Sequence, residues 1–174
     1  MEKKDIMNSE YQYEKAINSL GEFSEHNQKL IKDFIDANSL GKTALKTSRK
    51  KQAGIRALTK NLYLIKVSAK FFKKNLDKLT ESDIENLIKA LNTNKLKKSN
   101  GKNYSEQTKA NIKKVLIIFL RFVVKDKDKL EELTGWIDTS FKKKEIDALT
   151  EDEIRLLVNK SNTLKQESLN RCFI

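Results

Sequence analysis

The chain has 174 residues, carries 36 Lys or Arg against 24 Asp or Glu for a net charge of +12, and contains 5 glycines and no proline. That length holds one good-sized domain and a piece of another, and the shortage of helix breakers favours an all-α protein. The charge calls for an acidic partner, nucleic acid ahead of an anionic membrane surface; no run of about 18 apolar residues occurs and MEKKDIMNSEYQYEK lacks an apolar leader core, so the chain reads as cytoplasmic.

Residues 1–40 lean acidic, with eight acids and five bases. A weakly patterned helix is expected from Ser9 to Leu20. A clearer one runs from Glu25 to Asn38, capped by Ser24, with Leu30, Ile31, Phe34 and Ile35 on its buried side. These forty residues read as an N-terminal helical extension, a scaffold or a contact surface for another protomer.

From Lys42 to Lys74 the chain holds eleven Lys or Arg and no acid. Within it Ile55, Leu58, Leu62, Ile65, Ala69 and Phe72 recur at steps of three and four, which lines one face of a helix expected from Thr47 to Lys73. Arg49, Arg56 and Lys60 fall within roughly 20° of a common direction opposite that stripe, with Lys50 and Lys51 beside Arg49. The wet side of a bundle helix would interleave Glu for i,i+4 pairing, and none is present. This helix is therefore expected to offer one face to a core and the other to duplex DNA.

Thr80, with Asp83 three residues on, opens a short acidic helix, IENLIKALN. The basic loop NTNKLKKSNGKNY comes next, with Asn100-Gly101 as its turn signal; its lysines either reach phosphates or face solvent in a flexible connection. Ser105 caps a second long basic helix whose core stripe is Ile112, Val115, Leu116, Phe119, Phe122 and Val123, with Gln107, Lys114 and Arg121 on the other side. From Thr93 to Lys125 there are nine bases and one acid, Glu106. A short helix between Asp126 and Ile137 closes the first domain, residues 41–137, with Trp136 as a core anchor.

Residues 138–148 read as a linker whose lysine run, Lys142, Lys143 and Lys144, could lie against a DNA backbone. Residues 149–174 read as the start of a second domain. Thr150 and Glu153 form a capping box for one helix, and a further helix, TLKQESLNRCFI, ends on an apolar run as though the domain were cut short.

The reactive groups of an enzyme are missing. The single histidine, His26, and the single cysteine, Cys172, leave no material for a His-dependent triad, a zinc cluster or an internal disulfide. The five glycines are isolated, so no phosphate loop forms. Neither metal nor cofactor nor small-molecule substrate is expected. DNA binding needs less. The N-terminus of the second basic helix, with Tyr104, Ser105, Gln107, Thr108, Asn111 and Lys114, suits phosphate. Base contacts would come from Arg49, Arg56, Gln107 or Asn111. Tyr104 either meets a phosphate or base, or packs on its own helix.

The order of parts resembles the N-terminal core-binding domain of tyrosine recombinases, with archaeal integrases and Xer-type enzymes nearest in flavour. The resemblance is carried by the basic helix with Arg56, Leu64 and Val67, then KLTESDIENLIKALN, then YSEQTKANIKKVLIIFLRFV. GWIDTSFKKKEIDALTEDEIRLLVNKS is similar to the family's linker and the opening of its catalytic domain. The resemblance implies a SAM-like helical bundle forming half of a clamp on DNA, a cofactor-free parent that integrates or recombines DNA, and assembly of that parent as a tetramer. It also implies that the catalytic Arg, His and Tyr set lies outside this chain. Arg171 precedes the expected Arg position, and Tyr11, Tyr13, Tyr63 and Tyr104 stand where no nucleophile belongs. The alternative is a non-enzymatic helical DNA-binding protein, a regulator or chromosome-organising factor; a third reading is a basic interaction module without a nucleic-acid role.

Overall fold

The computed structural model describes residues 9–43, 52–141 and 150–170, with 161–170 as backbone only. Arg49, Lys50, Lys51, Lys142, Lys143, Lys144, Arg171 and Cys172 lie outside the described residues. The fold is all-α: α1 (Ser9–Asn18), a 3-10 turn (Ser19–Glu22), α2 (Glu25–Ser39), α3 (Ile55–Phe72), a second 3-10 turn (Leu76–Lys78), α4 (Glu81–Asn92), α5 (Glu106–Val123), α6 (Lys127–Thr134) and α7 (Glu151–Asn170). The chain divides into two units, Met1–Lys142 and Lys143–Ile174.

The first unit is built around α3, which packs against α1, α2, α4 and α5. Its buried residues include Leu58, Thr59, Leu62, Leu64, Ile65, Lys66, Ser68 and Ala69. At 100° per residue these sweep about 220° of the helix and leave one arc to solvent. The apolar stripe read from the sequence is the middle of that buried arc, and its end members Ile55 and Phe72 are half-buried. Ala16, Leu20, Ile31, Phe34 and Ile35 from α1, the first turn and α2 join the same hydrophobic core as Leu62 and Ile65. The segment read as an N-terminal extension thus shares one core with the basic helix.

Helix α2 begins at Ser24, whose Oγ accepts from Asn27 N, and buries Ile31, Phe34 and Ile35, while Leu30 is only half-buried. It ends in a Schellman turn: Gly41 N donates to Asn38 O (3.0 Å) and Lys42 N to Ala37 O (2.9 Å), with Gly41 at φ +70°. The ends of α2 and α3 are tied crosswise. Asn27 Nδ2 donates to Lys74 O (2.9 Å) and Asn27 Oδ1 accepts from Leu76 N (3.0 Å), while at the other end Ala53 N donates to Asn38 O (3.4 Å). The two helices are therefore antiparallel.

That last bond corrects the expected start of the basic helix. Residues 52–54 are not helical, and α3 begins only at Ile55, after an extended Gly54. The Ala53 amide is taken up by the end of α2, so it is not available to a helix running through from Thr47. Arg56 and Lys60 thus stand on a helix that begins at Ile55, and Arg49 lies outside the described residues.

Helix α4 opens at Thr80, whose N–H (2.8 Å) and hydroxyl (2.7 Å) both donate to Asp83 Oδ2. Helix α5 buries Ile112, Val115, Leu116, Phe119 and Leu120, with Phe122 and Val123 half-buried at its end. Phe34 of α2 meets Phe119 edge-on at 5.2 Å and Phe122 at 5.9 Å, contacts of the kind that add about 0.5–1.5 kcal/mol beyond area burial. In α6 the expected anchor is the wrong residue. Trp136 is 42% exposed, and the core positions go to Leu133 and Ile137. In the second unit Thr150 and Glu153 do form the capping box, but α7 is one continuous helix where two were expected.

Candidate nucleic-acid interface

The arc that α3 leaves exposed carries Arg56, Lys60, Tyr63 and Lys70, with half-buried Val67 between them. These positions are spaced by four and three, so they form one ridge about 80° wide with no acid on it. Tyr63, 43% exposed among the cations, is a residue that composition alone did not single out. Helix α5 repeats the arrangement. Gln107, Lys114 and Arg121 are exposed, with Asn111 and Ile118 half-buried between them at the same steps of four and three.

The two ridges run in opposite directions. Tyr104, just before α5, lies near enough to Lys70, late in α3, for that charge to act on its phenol. Burial pushes the Tyr104 phenol up, against the opposing pull of Lys70. At the other end of α5, Phe119 and Phe122 sit on α2 beyond its midpoint, toward the start of α3. Gln107, Thr108 and Asn111 thus stand at the Lys70 end of the bundle, whereas Arg56 and Lys60 stand at the far end. The structure does not bring these two groups together in one cluster. At about 1.5 Å per residue the far ends of the α3 ridge, Arg56 and Lys70, are roughly 21 Å apart along the helix.

Several cations counted in the basic stretch are already neutralised. Lys66 is 7% exposed, 3.1 Å from Glu22 and hydrogen-bonded to the Ser19 hydroxyl; Lys70 is 2.9 Å from the same carboxylate. Burial raises the Glu22 pKa, but the hydrogen bonds and charges of Lys70 and Lys66 outweigh it and hold the carboxyl below its usual range. Lys74 pairs with Asp83 at 2.5 Å. The hydrogen bond from Lys74, aided by those from Thr80, lowers Asp83 to about 2. In α5, Lys109 is 5% exposed and bound to Glu106 at 2.7 Å, while Lys113 Nζ donates to the backbone carbonyl of Asp138 at 3.1 Å, which directs it without neutralising it. Acids from elsewhere in the fold, invisible to i,i+4 reasoning, account for the pairings of Lys66, Lys70 and Lys74.

What stays free defines the candidate surface. Among the described residues no carboxylate lies within 4.0 Å of Arg56, Lys60, Lys114 or Arg121. Comparison of the chain with protein-family models, curated proteins and solved structures found no match. The remaining expected contacts divide. Lys114 Nζ stands 6.0 Å from the centre of the Phe141 ring. Ser105 accepts from Thr108 N at 3.3 Å and shares a hydrogen bond with the Thr108 hydroxyl, so both side chains serve the cap. Tyr104 packs half-buried against the core. Ser105 and Gln107 are both exposed at the helix start, and of the two Ser105 is engaged in the cap. His26 Nε2 lies 3.0 Å from Asp77 Oδ1, and neither residue stands on either ridge. Among the described residues no cluster of His, Cys, Asp or Glu could hold a metal ion, and no helix is long and apolar enough to cross a membrane.

Proposed function

We propose that the first unit binds duplex DNA through the exposed ridges of α3 and α5, and that the chain is the DNA-binding N-terminal part of a tyrosine-type site-specific recombinase. The observation that carries the first half is the pair of ridges whose cations meet no carboxylate among the described residues, Arg56–Lys60–Tyr63 and Gln107–Lys114–Arg121, standing on helices whose buried faces belong to one core. Cations held on rigid helices can neutralise phosphates without first being ordered, and Tyr63 and Gln107 add short-range hydrogen-bonding capacity. The recombinase half is supported by the succession of segments from the basic helix to the Thr150 capping box. A coding frame that continues beyond Ile174 into an Arg-bearing helix and a late Tyr would support it; a stop codon at that point would favour a stand-alone DNA-binding protein.

The DNA reading is tested by charge reversal. R56E/K60E and, separately, K114E/R121E change only exposed side chains, so circular dichroism should be unaltered. Each pair should weaken binding to a labelled duplex by about tenfold or more at moderate salt. Affinity equal to wild type in both variants would contradict it.

A further inference from the structure

We infer that the lysine hairpin joining α4 to α5 is a separate contact to the phosphodiester backbone of the same duplex, an inference that rests on the DNA-binding reading above. The segment read from sequence as a loop is a built structure. Lys97 and Asn103 form an antiparallel bridge; Lys98 N donates to Lys102 O (2.9 Å), Gly101 N to Lys98 O (2.9 Å) and Lys102 N to Asn100 Oδ1 (3.2 Å). Gly101 turns the chain at φ +76°, a conformation other residues adopt only at a cost. Both stems are fixed to the bundle. Leu96 N donates to Ala90 O (3.1 Å), and the Leu96 and Tyr104 side chains pack on the core.

This rigid element presents Lys95, Lys97, Lys98 and Lys102, all exposed. The nearest acids in sequence on either side are both taken: Glu85 by Lys89 at 2.9 Å and Glu106 by Lys109 at 2.7 Å. Lys98 Nζ stands 5.9 Å from the centre of the Tyr104 ring, and the four like charges on one ribbon otherwise repel one another unless an anion meets them. A merely solvated connection would gain more from acids interspersed among its lysines. The hairpin leads directly into exposed Gln107, at the end of the bundle opposite Arg56. A spacing of roughly 21 Å along α3 corresponds to about six base-pair steps, so the hairpin and Arg56 would grip different phosphates of one duplex. The contact is to backbone and carries no sequence preference.

The test is K97Q/K98Q/K102Q in the full chain, titrated against two duplexes of unrelated sequence over a series of salt concentrations, beside wild type and R56E/K60E. The expected result is an equal loss of affinity on both duplexes, with the slope of log K against log[salt] reduced by about two to three. A triple variant that binds like wild type, while R56E/K60E is weakened, would overturn the hairpin contact and leave the helix ridges standing. Loss of binding to polyglutamate with DNA affinity intact would move the hairpin to an acidic protein partner and also overturn it. No binding by wild type at low salt would remove both readings.

Discussion

Asn27 shows how much one polar side chain does in this bundle. It is 6% exposed and spends both ends of its amide on the chain reversal after α3, donating to Lys74 O and accepting from Leu76 N. Replacing it with Leu leaves the buried Leu76 N–H without a partner, at about 1–3 kcal/mol, and the part-buried Lys74 carbonyl without one at a smaller cost. Asn27→Leu should lower the urea midpoint by an amount equivalent to about 2–4 kcal/mol; a change under about 0.5 kcal/mol would mean that water replaces both bonds. Nothing local marks Asn27, because its partners are 47 and 49 residues away in sequence. Trp136 shows the opposite case, in which a local pattern is present and points elsewhere. Leu130, Leu133 and Ile137 follow helical spacing, and Trp136 falls off that stripe, so it is size that suggests an anchor where periodicity does not.

At the scale of elements, what is legible in the sequence is local. The caps at Ser24, Ser105 and Thr150 and the Asp83 contact at Thr80 can be read there because each depends on three or four consecutive residues. The start of α3 cannot, because Ala53 answers to Asn38 across the fold. The continuity of α7 is hidden because polar residues stand at the expected break; no Gly or Pro interrupts the helix there, and such residues cost only a few tenths of a kcal/mol within it. The Asp83 cap also sets an acid limit. Its carboxyl is held at about 2, below its unfolded value near 3.9, chiefly by Lys74. A depressed carboxylate contributes its full stability above the unfolded pKa and loses it as pH falls toward the folded one. Between about pH 4 and pH 2, wild type should lose more stability than Asp83→Asn, measured by urea denaturation at each pH. Parallel curves for the two proteins would show that the cap and the Lys74 pair do not act as described.

At the scale of the whole molecule, the basic stretch from Lys42 to Lys74 is both less and more than its composition implies. It is less because Glu22 and Asp83 absorb Lys66, Lys70 and Lys74. It is more because the surviving cations Arg56 and Lys60 share their ridge with Tyr63, and a second ridge with the same spacing runs the other way on α5. Sequence periodicity identifies both helices and the exposed faces of Gln107, Lys114 and Arg121. It does not show that the helix starts lie at opposite ends of the bundle, since chain direction is set by the Asn27 and Ala53 bonds and by the Phe34 contacts.

The central claim is that the free cations on these ridges and on the hairpin meet DNA phosphates. Fluorescence anisotropy of a labelled duplex with the intact chain, taken across a salt series, tests it most directly. With Arg56, Lys60, Lys114, Arg121 and part of the hairpin engaged, log K should fall with log[salt] at a slope of about −4 to −6, at about −0.9 per neutralised phosphate. A flat dependence, or no binding at low salt, would contradict the account and leave the basic surface to an acidic protein partner.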